Sequence, residues 1–166
     1  MIVLLEKLNF VCQGEPQSEL TTGLPPTTEP SCPRNTICHN GFAYHSPDMQ
    51  FFKWHDAELY CQREYKGHLV SVHSVEEEKI VEKAYSFDLN GNIVWIGGVV
   101  KGDKIAWSDG TPYDYKQYYG SDSDSNAQNG KCLTLMITQK PGWHWSGCSY
   151  FHGMMALSAI CKYPLH

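Results

Sequence analysis

An α+β domain stapled by disulfides is the fold class this sequence predicts, and three observations carry it. Seven cysteines in 166 residues is a high count, and no C-x-x-C pair occurs among them, so a zinc ribbon is a poor reading. Two stretches, beginning at Trp54 and at Ser74, repeat apolar residues at helical spacing. The chain after them breaks into short apolar segments separated by turn residues, which is the pattern of strands. Apolar residues make up 42% of the chain and charged residues 19%, enough apolar material for a packed core. The formal charge of −5 and the lack of any Lys/Arg block exclude nucleic acid and anionic membrane as partners. The cysteine usage places the protein in an oxidising, extracellular compartment. Because the count is odd, one cysteine is free, paired between chains, or removed in processing.

Residues 1–14 read as the remnant of a signal peptide. Met1-Ile-Val-Leu-Leu5 opens like an apolar leader, Glu6 and Lys7 interrupt it, and Leu8-Asn-Phe-Val-Cys12 resumes it. Cleavage near Gly14 would remove Cys12 and leave six cysteines, an even number. No run approaches the roughly 18 apolar residues of a membrane span. Residues 15–31 are rich in Pro, Thr, Ser and Glu, have almost nothing to bury, and are expected to form an extended linker. It would serve as an O-glycosylated stalk or as a plain spacer. No Asn-x-Ser/Thr sequon occurs. The folded domain is placed at residues 32–166.

Cys32 and Cys38 are expected to bridge a local loop, and Asn40-Gly41 is a two-residue hairpin turn signal. Phe42, Tyr44, Phe51 and Phe52 suggest strand segments, broken by Ser46-Pro47-Asp48. Trp54, Ala57, Cys61 and Tyr65 form one apolar helix face, with Gly67 as the residue expected to end that helix. His68-Leu-Val-Ser-Val-His73 alternates as a short strand would. Ser74 with Glu77 makes a capping box for a second helix, and Glu76, Glu77 and Glu78 suit its dipole as a solvated start. Val75, Ile80, Val81 and Ala84 supply its buried side. Asn90-Gly91 turns the chain into the strand Ile93-Val-Trp-Ile96, and Gly97-Gly98 allows a bend or a close approach. Ile105-Ala-Trp107 is a further strand. The polar stretch from Ser108 to Lys131 is a long loop, and loops of that length in compact domains usually carry function. Cys132–Ile137 and Gly142–Cys148 follow as strands, and Met154-Met155 leads into the closing one at Cys161.

Taken together, these motifs resemble the C-type lectin-like domain. The matching residues are W-x-x-A-E-x-x-C at Trp54 to Cys61, G-H-L-x-S-x-H at Gly67 to His73, and W-I-G at Trp95 to Gly97. W-x-D-G-x-P-x-x-Y at Trp107 to Tyr115 and I-C at Ile160-Cys161 complete the set, which spans Cys32 to Tyr163. The resemblance implies two helices flanking antiparallel sheets, a long loop region that bears the ligand site, and Cys61–Cys161 and Cys132–Cys148 bridges. The opening Cys-Pro is similar to the long form of that family, but its usual partner position is Ala43, so Cys38 is taken as the partner of Cys32.

The family's calcium-dependent sugar site does not carry over. Its Glu-Pro-Asn or Gln-Pro-Asp tripeptide is missing from the loop, its acidic residue before the third cysteine is Gly130, and its Trp-Asn-Asp reads Trp143-His144-Trp145. Calcium takes six to eight oxygen ligands, and neither indole nor imidazole suits it. Asp122, Asp124 and Asn126 do place oxygen side chains at alternate positions and are the candidate cation ligands. They do not make an EF-hand, because Ala127 and Leu133 stand where Gly and Glu are needed. Calcium is therefore not an expected cofactor.

The candidate ligand surface is aromatic and polar together: Tyr113, Tyr115, Tyr118, Tyr119, Asp122, Asp124, Asn126, His144 and Trp145. One of Trp143 and Trp145 is expected to face the core, since alternate strand residues point to opposite sides; the family match makes it Trp143 and leaves Trp145 exposed. His68 and His73 read as packing residues, and His144 with His152 as surface residues more than metal ligands. No G-x-S-x-G, H-E-x-x-H or phosphate loop appears, so catalysis is not expected. Ice binding, another use of the scaffold, would ask for a flat Thr-rich face that the sequence does not show. The reading is a secreted carbohydrate-recognition module with an altered, calcium-independent site for a glycan or glycoprotein. The alternative is a protein-protein interaction domain for a protein receptor, without sugar binding.

Overall fold

The computed structural model describes residues 31–48, 50–51, 53–85, 93–149 and 156–166. The leader and linker readings, Phe52, the Asn90-Gly91 turn, His152 and Met154-Met155 lie outside these residues.

Two helices flank two sheets. The first sheet joins β1 (Ile37–His39), β2 (Phe42–His45), β9 (Cys161–Pro164) and β3 (His68–Leu69), in that order. The second runs β5 (Lys104–Trp107), β4 (Ile93–Lys101), β6 (Lys131–Met136), β7 (Gly142–Gly147). All these pairings are antiparallel, and β8 (Ser158–Ala159) adds to β4 in parallel. Helix α1 is Trp54–Tyr65 and α2 is Val75–Tyr85. At the β1–β2 hairpin Asn40 and Gly41 both have positive φ, 48° and 79°, as a two-residue type I′ turn requires. In β4 the register shifts between Trp95 and Val99, across Gly97-Gly98, where a bend was expected.

Three disulfides hold the layers, Cys61–Cys161, Cys132–Cys148 and Cys32–Cys38, their partners 100, 16 and 6 positions apart in sequence. The first ties α1 to β9, and by the loop-entropy argument it stabilises by roughly 4–5 kcal/mol. Around it pack Trp54, Ala57, Leu69, Trp95 and Cys132. Both indoles there place their N–H on a carbonyl: Trp54 Nε1 on Ile96 at 2.7 Å and Trp95 Nε1 on Phe51 at 3.2 Å. Glu58 is buried on the same helix and fully engaged. It accepts from His68 Nδ1 at 2.5 Å, Gln62 Nε2 at 2.7 Å and the Leu69 N–H at 2.9 Å.

The helix ends differ from expectation in instructive ways. Lys66, not Gly67, takes the left-handed turn after α1, with φ 57°. Gly67 is needed for space: a Cβ there would sit 2.3 Å from the Lys162 carbonyl oxygen and 2.6 Å from Tyr163 Cβ. At α2, Ser74 Oγ accepts the Glu77 N–H at 3.1 Å as a cap should, but the Glu77 carboxylate reaches one residue further back, to the His73 N–H at 2.8 Å. The expected solvated start is also corrected. Glu77 and Glu78 are buried and Val75 is 51% exposed, because the inward stripe of α2 is Glu77, Glu78, Val81, Ala84 and Tyr85.

Each buried acid has a reason. Glu77 Oε1 takes the Lys162 ammonium at 2.6 Å and the Tyr44 hydroxyl at 2.7 Å, and Lys162 also reaches Ser71 Oγ at 3.2 Å. Burial pushes the Glu77 carboxyl up, but Lys162, Tyr44 and the His73 N–H together hold it below the usual carboxylate range. Glu78 accepts the Tyr115 hydroxyl at 2.6 Å, which docks the long loop onto α2. Burial raises its carboxyl to about 7, opposed by Tyr115 and reinforced by the charge of Glu82.

Two outcomes follow. Lys162→Met should lower stability by about 3–5 kcal/mol in urea unfolding with disulfides intact, because it strands a buried carboxylate; adding Glu77→Gln should recover most of that loss. Glu78 favours its protonated form in the folded state, so its contribution is full below pH 4.5, its ordinary value, and is lost as pH rises to about 7. The native protein should then lose about 2–3 kcal/mol of unfolding free energy across that window relative to Glu78→Gln, whose pH profile should be flatter.

Candidate functional site

The loop between β5 and β6 starts from a fixed point. Asp109 accepts Ser71 Oγ at 2.5 Å, Thr111 Oγ1 at 2.6 Å and the Thr111 N–H at 2.9 Å. Burial raises this carboxyl, and these hydroxyls and the N–H outweigh it, so it stays charged well below the ordinary range. The chain then lays three tyrosines around Trp143. Ring centroids of Tyr113, Tyr115 and Tyr118 lie 6.2, 5.7 and 6.2 Å from it, two of them edge-on. Next the segment 117–119 runs along the free edge of β7. The Trp143 N–H donates to the Gln117 carbonyl at 2.7 Å and the Tyr119 N–H to the Trp143 carbonyl at 2.8 Å. Gly142 permits this approach, for a Cβ there would lie 2.8 Å from Tyr119 N. The loop has little regular structure otherwise, a 3-10 turn at Asp124–Asn126.

The candidate cation ligands do not converge. Asp124 pairs with the Lys116 ammonium and accepts the Tyr118 hydroxyl at 2.5 Å. Burial acts to raise its carboxyl, and Lys116 and Tyr118 together hold it below the ordinary range. Tyr118 in turn is pushed up to about 12, by burial first and by Asp124 next. Asp122 is paired with His144 Nδ1. Asn126 accepts the Ser123 N–H at 3.1 Å and closes the turn. These side chains serve separate partners, and among the described residues no group of three His, Cys, Asp or Glu gathers as a metal site. With Gly130, His144 and Trp145 at the family's ligand positions, the residues present do not fit a calcium cage.

The expected exposure of Trp145 is corrected. Trp143 is 0% exposed and Trp145 is 3% exposed, and both belong to the main core. Strand side chains alternate with a period of two, so positions 143 and 145 share the inward face and His144 between them points out. Trp145 packs on Tyr118 with centroids 6.5 Å apart. Of the other candidates, Tyr115 and Tyr118 are half-buried and hydrogen-bonded inside the fold. Tyr119 is the exposed aromatic, at 37%.

Tyr119 and Gly120 separate two clefts. The larger, about 750 Å³, lies between the segment 117–120 and the β6–β7 hairpin tip 138–141. The smaller, about 360 Å³, is bounded by Tyr119, Asp122, His144, Ser146, Met136 and Ile93. The geometry therefore brings Tyr119, Asp122 and His144 together and leaves Asp124, Asn126, Tyr115 and Trp145 to structural roles. It adds Gln117, Thr138, Gln139 and Lys140, which the sequence reading passed over. Thr138 to Pro141 carries the polar and Pro signature of a connector, and only the bridge of Tyr118 to Trp143 turns it into a cleft wall.

Known proteins share this sequence pattern and fold. A lectin of Pleurodeles waltl is 28% identical over 167 residues, covering 98% of this chain and 90% of that protein. Snaclec 6 of Daboia siamensis is 33% identical over 143 residues, covering 82% of this chain and 86% of that one. Among solved structures, human lithostathine superposes with a TM-score of 0.71 at 27% identity, over 88% of this chain and 99% of that one. Herring type II antifreeze protein does so with a TM-score of 0.67 at 26% identity, over 81% and 100%. The family model described as the lectin C-type domain matches residues 52–162, and the chain belongs to that family.

Proposed function

We propose that this chain is a secreted recognition module that binds a glycan without calcium at the paired clefts beside Tyr119, acting by binding and not by catalysis. The observation that carries the reading is the contrast between the loop's acids and its clefts. Asp124 and Asp122 are already matched by Lys116 and His144, so no acidic cage is left for a cation. Beside them an exposed Tyr119 ring stands between two openings of about 750 and 360 Å³, the larger within the range of small-ligand sites. A sugar offers an apolar ring face and hydroxyl edges. Tyr119 supplies the first match, and Gln117, Gln139, Asp122 and His144 supply the second. Three disulfides support an extracellular setting, and no helix among the described residues is long and apolar enough to cross a membrane. A protein receptor is the second reading, favoured by the tyrosine-rich loop.

A glycan array probed with the folded protein, once with calcium and once with EDTA, tests this. Equal binding in both is expected, and Tyr119→Ala should weaken it by roughly tenfold or more, the cost of losing an aromatic platform and its packing. Binding that needs calcium would sink the reading, and silence in both conditions would transfer it to a protein partner.

A further inference from the structure

The larger cleft has a chemical bias of its own. We propose that it selects a short glycan bearing one anionic group, a carboxylate or a sulfate ester, with Lys140 as the anchor for that group. This deepens the glycan reading above and rests on it.

Among the described residues lining the cleft, Lys140 is the one that carries a charge. The lysine inside the loop, Lys116, is already paired with Asp124. Lys140 has no carboxylate within ion-pair distance among the described residues. Its backbone is held in place. Thr138 Oγ1 accepts the Lys140 N–H at 3.2 Å and donates to the Lys140 carbonyl at 2.9 Å, closing the hairpin tip. The facing wall is fixed too, because the backbone of 117–119 is bonded to Trp143. The side-chain amides of Gln117 and Gln139 have no internal partner among the described residues, so both are free to bond a ligand. An ammonium, two amides and an exposed tyrosine ring suit a sugar with one negative group. The ion pair meets the charge with a charge-assisted hydrogen bond, and the ring meets the apolar face.

The charge of the whole chain narrows the class. At a formal −5 it repels a polyanion at long range, so a glycosaminoglycan-like chain is disfavoured and a short saccharide with a single charge is favoured.

The test uses an array of saccharides ending in N-acetylneuraminic acid, glucuronic acid or sulfated galactose beside their neutral counterparts. The preferred free saccharide is then titrated by calorimetry at 50 and 500 mM NaCl. Acidic saccharides should be preferred, and the carboxylate and sulfate arms identify the group. Lys140→Gln should weaken the acidic ligand by roughly tenfold or more and leave a neutral one unchanged, the loss expected for a hydrogen bond to a charged group. Lys140→Arg should retain binding, and high salt should weaken it. Lys140 is exposed, so these variants fold. Neutral saccharides that bind through Tyr119 with Lys140→Gln silent would overturn this inference and leave the glycan reading standing. Acidic binding indifferent to both Lys140→Gln and Tyr119→Ala, or no saccharide bound at all, would overturn both. A poly-glutamate peptide bound as tightly as the acidic saccharide would overturn the glycan assignment.

Discussion

One buried ammonium joins the layers of this domain. Lys162 on β9 reaches Glu77 on α2 and Ser71 beside β3, and it lies over the Phe42 and Tyr44 rings of β2 at 5.0 and 5.9 Å. Its side chain and that of Glu77 are each about 10% exposed, so both charges are mostly out of water. A pair of this kind gives little net stability over an apolar pair of the same shape, because desolvation offsets the attraction. What it gives is position. Glu77 can be satisfied only with α2 seated against β2 and β9, and Ser71 can bond Asp109 only with the loop start in place.

From that fixed point order spreads by rings more than by backbone ladders. Trp107 and Trp143 meet edge-on at 5.3 Å, and the loop tyrosines close around them. The hydroxyls finish the work that regular structure would otherwise do: Tyr113 with Tyr118 at 2.7 Å, Tyr118 with Asp124, Tyr115 with Glu78. A loop of this length is ordered because its large side chains are buried and their polar ends are matched.

This explains which parts were legible from sequence. The α1 face at Trp54, Ala57 and Cys61, the Ser74 cap and the Asn40-Gly41 turn are local patterns, and local patterns read correctly. The three disulfide pairings also came out as expected, one from local spacing and two through the family resemblance. The misreadings have a common source, which is tertiary context. Glu77 and Glu78 look solvated until a lysine and a tyrosine distant in sequence reach them. Gly67 looks like a helix cap until β9 passes over it. Trp145 is the exception, since positions two apart on a strand share a face and its burial beside Trp143 was legible in the local pattern. Tyr119 was visible as a candidate, but its opposite wall at Thr138 to Lys140 was not, because no local pattern announces that the loop pairs with the edge of β7.

The same physics sets where a ligand surface is left over. In a loop rich in carboxylates, mutual repulsion must be relieved by a cation, and a bound metal is one source of it. Here the chain provides its own partners for them. Lys116 sits on Asp124 while the Tyr118 hydroxyl takes the other oxygen, and His144 sits on Asp122. An internal lysine neutralises the acid but, unlike a metal, leaves no open coordination position for a ligand's hydroxyls. Asp124 therefore becomes part of the scaffold. The surface left open lies on the far side of Tyr119, where the ring is exposed, the amides are free and Lys140 carries the unmatched charge of the cleft, and it is there that our proposal puts recognition.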